Sequence, residues 1–139
     1  MTDDAVTYLN PPNARALLGL YSHVARVPAG EQAFLAGQVA SEAAATPEGA
    51  RDFAAQFHEV FDSIGRILGD LGTDFNSVAK FTTYLVDGEH IEPLMELRKE
   101  LFPRLFTGPL YPPNTLLVVD RLVKEEFLIE VDTVARLPG

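Results

Sequence analysis

The nine residues Phe127-Leu128-Ile129-Glu130-Val131-Asp132-Thr133-Val134-Ala135 alternate with the period of a β strand. Strand side chains face alternate sides, so Phe127, Ile129, Val131 and Thr133 share one face. That set suits a core. Leu128, Glu130, Asp132 and Val134 share the other face, which mixes apolar groups with carboxylates. A half-apolar outer face of this kind often packs against another subunit. The expectation is therefore a homo-oligomer whose sheets face one another.

Working back from this closing strand, Asn114 to Leu122 reads as its predecessor, joined through Val123-Lys124-Glu125. Ser77 to Val86 is rich in Val, Thr, Phe and Tyr and stops at Asp87-Gly88. Ala33 to Val39 and His23 to Val27 flank the turn Pro28-Ala29-Gly30-Glu31, which predicts an opening hairpin. Residues 1–20 read as polar and irregular, broken by Asn10-Pro11-Pro12-Asn13.

Two segments carry helical periodicity instead. Phe53, Phe57, Val60, Phe61, Ile64, Ile67, Leu68 and Leu71 form one stripe. Thr46 is its expected cap, Pro47 its first residue and Gly72 its left-handed stop. The second helix runs from about Glu89 to Leu105, with Arg98 on its apolar stripe and expected to snorkel to solvent. The predicted order is ββαβαββ, an α+β fold in which both helices cover one face of a mixed sheet.

Composition narrows the chemistry. The chain has 139 residues with no linker or repeat, so residues 1–139 are read as one domain. An apolar content of 47% argues against disorder. The absence of cysteine removes disulfides, thiolate metal sites and a cysteine nucleophile. A net charge of −9 repels phosphate backbones, so no nucleic-acid partner is expected. Met1-Thr2-Asp3-Asp4-Ala5 lacks the basic region of a secretory signal, and no apolar run approaches the ~20 residues of a membrane span. A cytoplasmic protein without membrane contact is the expectation. His23, His58 and His90 are too scattered for a metal site, and His58 and His90 read as solvent groups. Lys80 reads as a strand-face charge rather than a Schiff-base lysine.

Several of these pieces, in this order, resemble the RidA/YjgF family of small trimeric proteins. Ala36-Gly37-Gln38 is similar to that family's Ser-Gly-Gln strand, and Gln56 through Gly72 to its long helix. Val78-Ala79-Lys80-Phe81-Thr82-Thr83-Tyr84-Leu85 resembles its central strand. Pro112-Pro113-Asn114-Thr115, followed by Arg121-Leu122, stands where the family has Pro-Ala-Arg-Ser and Arg-Leu. Leu128-Ile129-Glu130-Val131-Asp132 resembles its Ile-Glu-Ile-Glu strand. The resemblance implies a chorismate-mutase-like α+β fold and a homotrimer with sheets facing the centre. It also implies three subunit-interface clefts that hydrolyse reactive enamines or imines, without metal or organic cofactor.

Carried over by position, the water-handling glutamate is Glu130 and the cleft tyrosine is Tyr21. The family serine becomes Ala36, next to Gly37, and an asparagine found in some members falls near Met95. The carboxylate-gripping arginine becomes Asn114. An amide is neutral, and losing a charge-assisted pair costs roughly 1.5–3 kcal/mol, about ten- to a hundredfold in binding. The resemblance with this departure implies a hydrolase or deaminase of a small metabolite other than 2-aminoacrylate, or one whose carboxylate is held by Arg26 or Arg104. The alternatives are a non-catalytic small-molecule-binding trimer of the same fold and a partner-regulating scaffold.

Overall fold

A computed structural model describes residues 5–139; Thr2, Asp3 and Asp4 of the acidic start lie outside the described residues. The main sheet has four strands: β3 (Gln32–Val39), β4 (Val78–Leu85), β5 (Asn114–Val118) and β6 (Ile129–Arg136). Their spatial order is β3-β6-β4-β5, with β6 antiparallel to both neighbours and β4 parallel to β5. Two helices, α1 (Phe53–Asp70) and α2 (Ile91–Leu105), supply the long connections that bring β4 and β5 back parallel to the strands before them. No helix among the described residues is long and apolar enough to cross a membrane.

The closing strand alternates as its sequence predicts. Ile129, Val131, Thr133 and Ala135 are buried, while Glu130, Asp132 and Val134 are half-exposed. Both helices lie on the buried side, because Phe81 of β4 meets Phe61 of α1 at 5.7 Å and Phe102 of α2 at 6.1 Å between ring centroids. Phe57 and Phe106 extend this aromatic cluster, whose tilted and edge-to-face pairs add to the burial of apolar area. The opposite face carries Phe34, Lys80, Thr82, Tyr84, Leu117, Glu130 and Asp132, with no helix over it.

Three local expectations are corrected. Val24–Arg26 (β2) does not pair with β3; it pairs with Thr7–Leu9 (β1), a strand inside the segment read as irregular. Pro28 removes a backbone donor just past β2, and β3 finds a longer partner in β6. The two-stranded ribbon is tied to the main sheet by the Tyr8 hydroxyl, which donates to the Val78 carbonyl at 2.6 Å. Helix α1 starts at Phe53 rather than Pro47, because the Asp52 carboxylate accepts the Ala55 N–H at 3.0 Å. Thr46 caps a separate turn through the Gly49 N–H. Gly72 does end the helix, at φ +81°, with the Thr73 N–H returning to the Leu68 carbonyl. The strand predicted over 114–122 stops at Val118, and Arg121 folds into the next turn on the carbonyls of Leu122 and Val123.

Candidate functional site

Glu130 is placed from behind by Gln56. This glutamine of α1 is fully buried, and its amide N–H groups donate to the carbonyls of Gly49 and Glu126, both at 2.9 Å. Its Oε1 accepts the Leu128 N–H at 2.9 Å, which pins the chain two residues before Glu130. In front, the β3–β6 register slips between Leu35 and Gln38, so Ala36 and Gly37 form a bulge beside Asp132 and Glu130. The Glu130 carboxylate lies directly over Gly37, where a β-carbon would overlap Oε2. Any side chain at position 37 would displace this carboxylate. Partial burial, and next the charge of Asp132, raise the Glu130 carboxyl above its ordinary value. Tyr84, its cross-strand partner on β4, donates its hydroxyl to Asp132 at 3.0 Å.

Asn114 belongs to a different environment. It opens β5 opposite Phe81, and its Oδ1 accepts the Thr83 hydroxyl at 2.7 Å on the helix-covered side. Thr83 in turn accepts Nη2 of Arg98 at 3.0 Å. Arg98 does not snorkel: it is 1% exposed, its Nε is buried without a hydrogen-bond partner, and its guanidinium lies 5.7 Å from the Phe102 ring. Leu94 and Phe102, one turn to either side on α2, are buried with it. Burial lowers the Arg98 pKa to about 10, leaving it charged at neutral pH.

These two halves do not meet within one chain. Glu130 stands in a row with Tyr84 and Leu117, whereas Asn114 stands three residues earlier on β5 and on the opposite face. At strand spacings of about 3.3 Å along and 4.8 Å across, their backbones lie roughly 14 Å apart.

The family described as Endoribonuclease L-PSP matches residues 12–137. The chain belongs to the RidA/YjgF family. The RutC family protein YjgH of Escherichia coli is 29% identical over 133 residues, covering 95% of each chain. A RutC family protein of Pyrococcus horikoshii is 31% identical over 88% of this chain and 91% of its own. The crystal structure of the Rid-family protein YyfB from Yersinia pestis superposes with a TM-score of 0.77 at 24% identity, over 96% of this chain and 99% of that one. That likeness carries the fold.

Among the other RidA/YjgF positions, Tyr21 sits in the loop before β2. Its hydroxyl accepts the Leu18 N–H at 3.4 Å, and its ring meets His23 edge-on at 6.0 Å. The same loop packs on α2, with Met95 Sδ 3.0 Å from where a β-carbon on Gly19 would stand. Met95 and Arg98 are one turn apart, so the Tyr21 loop neighbours the Arg98 side of the fold rather than Glu130. Ala36 is exposed, and its carbonyl accepts the Gln38 amide at 3.0 Å. Arg26 and Arg104 are exposed, and neither is drawn toward Asn114 or Glu130 by a hydrogen bond or ion pair among the described residues. His90 is not a solvent group; it is half-buried and stacks on Phe53 at 4.5 Å.

The residues that sequence reasoning overlooked are Arg98 and Thr83. The signal for Arg98 was present: positions 94, 95, 101 and 102, its helical neighbours, are Leu, Met, Leu and Phe, with no carboxylate to pair it. Thr83 had no sequence signal, since a threonine on a core-facing strand position ordinarily packs by its methyl group.

Proposed function

We propose that this RidA/YjgF-family protein is a cofactor-free hydrolase or deaminase of a small enamine, imine or related unsaturated metabolite, acting in a cleft between subunits of a homotrimer. The observation that carries the reading is Glu130: a carboxylate on the helix-free face, held over Gly37, with raised proton affinity. Such a group takes and returns a proton near neutrality better than an ordinary carboxylate. Glu130 accepts a proton from water as its oxygen adds to the C=N carbon. The proton passes to nitrogen, and collapse of the resulting carbinolamine leaves a carbonyl and ammonia.

The separation of the two halves supports a cleft between subunits. Asn114 and Glu130 lie on opposite faces, so one small ligand meets both only if they come from neighbouring chains. Asn114 and the backbone around Ala36 and Gly37 hold the substrate, with Tyr21 lining the cleft. The half-apolar outer face, with Phe34 75% exposed and Leu117 44% exposed, supports sheet-to-sheet assembly. The family description names an endoribonuclease, but a chain of net charge −9 opposes an RNA backbone.

Ammonia release from a panel of imines and enamines tests the reading, with Glu130→Gln as the control. Turnover in the wild type and none in the variant is the expected result; full activity of the variant refutes the mechanism. The second reading, a binding protein without chemistry, is favoured by Ala36 and Asn114, which remove two polar groups of the family site. Thermal stabilisation by panel members without turnover would select it.

A further inference from the structure

Glu130 receives no hydrogen bond or ion pair from any described residue. Its neighbours suggest otherwise. Tyr84 is its direct cross-strand partner on β4, and such pairs bring β-carbons within about 4.5–5.5 Å. The Tyr84 hydroxyl instead reaches diagonally along β6 and donates to Asp132 Oδ2 at 3.0 Å. A phenol carries one proton, so a hydroxyl held by Asp132 has none to offer Glu130. The bond to Asp132, and after it desolvation, raises the Tyr84 pKa, so the phenol stays a donor through neutral pH.

The other donors near Glu130 are engaged or distant. In the β3 bulge the Gln38 amide donates to the Ala36 carbonyl at 3.0 Å. Lys80 of β4 stands opposite Val134, four residues further along β6. Ala36, Gly37 and Val39 approach from β3 and Leu117 extends the row on β5, and none of these titrates. Asp132 is therefore the charged group beside Glu130 on this face. A donor bonded to a carboxylate favours its ionised form, so withholding that donor leaves the carboxylate readier to take a proton.

We infer that Asp132 is a positioning residue for Glu130: by holding the Tyr84 hydroxyl, it keeps the nearest side-chain donor off Glu130 and leaves that carboxylate to the reacting water. The inference rests on the proposed role of Glu130 in taking a proton from water. It divides the work of the two acids on β6. One reacts, and the other occupies the phenol.

The test follows the carboxyl carbon resonance of Glu130 against pH in the full chain labelled with 13C-glutamate, with Glu130→Gln identifying the signal. Asp132→Ala removes a like charge and releases the phenol, so the Glu130 midpoint is expected to fall. In Tyr84→Phe/Asp132→Ala only the charge is missing, and part of that fall is expected to be recovered. Equal midpoints in Asp132→Ala and the double variant overturn the inference. A merely structural Asp132 would lower the melting temperature of Asp132→Ala without moving the midpoint, and that result overturns it too. Should the Asp132 variants fail to fold, Tyr84→Phe alone decides. It is expected to leave the Glu130 midpoint in place; a rise would mean that the phenol serves Glu130, and overturns the inference. Turnover that survives in Glu130→Gln would refute the proposed chemistry while leaving this pattern of midpoints intact, so the two failures are distinct.

Discussion

Glu130 and Gly37 share one volume: the glutamate side chain lies where a β-carbon of residue 37 would project, and even its Cγ would come within 2.8 Å. The bulge in β3 and the orientation of the Glu130 carboxylate are therefore one feature. Neither strand could set that orientation alone.

Gly37→Ala should displace the carboxylate while leaving the sheet intact. The tip of a glutamate moves readily, so the expected loss of stability is modest, about 1 kcal/mol. Combining it with Glu130→Ala should recover that loss, giving a non-additive cycle in urea denaturation. Turnover, if carried by Glu130, should fall in Gly37→Ala well beyond what the stability change explains.

Gln56→Leu keeps the volume and removes three hydrogen bonds. The Glu126 carbonyl and the Leu128 N–H would lose this partner, and the Gly49 carbonyl would keep only the Asp52 N–H. The expected cost is about 3 kcal/mol or more. A lowered urea midpoint and faster hydrogen exchange at the Leu128 amide would show it.

The raised proton affinity of Glu130 has a defined sign in stability. Its folded value lies above 4.5, so between that value and the raised one the folded chain holds more protons than the unfolded chain. The contribution to stability is fully present below the unfolded value and is lost as pH rises through the folded one. Glu130→Gln cannot lose it. The stability of Glu130→Gln relative to wild type should therefore increase as pH rises from about 4.5, the ordinary carboxylate value, to neutrality. Parallel denaturation series across that interval check the trend.

Phe34→Asp places a charge on the helix-free face opposite Val134. In a sheet-to-sheet trimer this buries an unpaired carboxylate, and light scattering should report monomer. A trimer that persists unchanged would place the subunit contact elsewhere.

The closing strand and the stripe of α1 were legible because each is a local pattern: the alternation around Glu130 and the three- and four-residue steps from Phe53 to Leu68 need no knowledge of partners. Strand pairing is not local. His23 to Val27 resembled half of a hairpin, yet the choice between β1 and β3 depends on which sheet edge is already filled by β6. Arg98 was half legible: its helical neighbours are apolar and offer no carboxylate, but only the packed fold shows it 1% exposed. The candidate residues were visible singly, but not their division between two faces of the sheet. Face and register decide that, and a bulge at Ala36 and Gly37 shifts both.

Gln56 makes the last strand intolerant of phase errors. A slip of one residue would turn Glu130 and Asp132 toward the phenylalanine cluster and send Ile129 and Val131 outward. With its amide committed to Gly49, Glu126 and Leu128 at once, Gln56 works as an index mark that only one alignment satisfies. Insertions among residues 119–125 can thus be absorbed in the loop without moving the glutamate. The opening of β5 is marked by Asn114 itself, through the Thr83 hydroxyl, so there the residue that sets the register and the candidate site residue are one and the same.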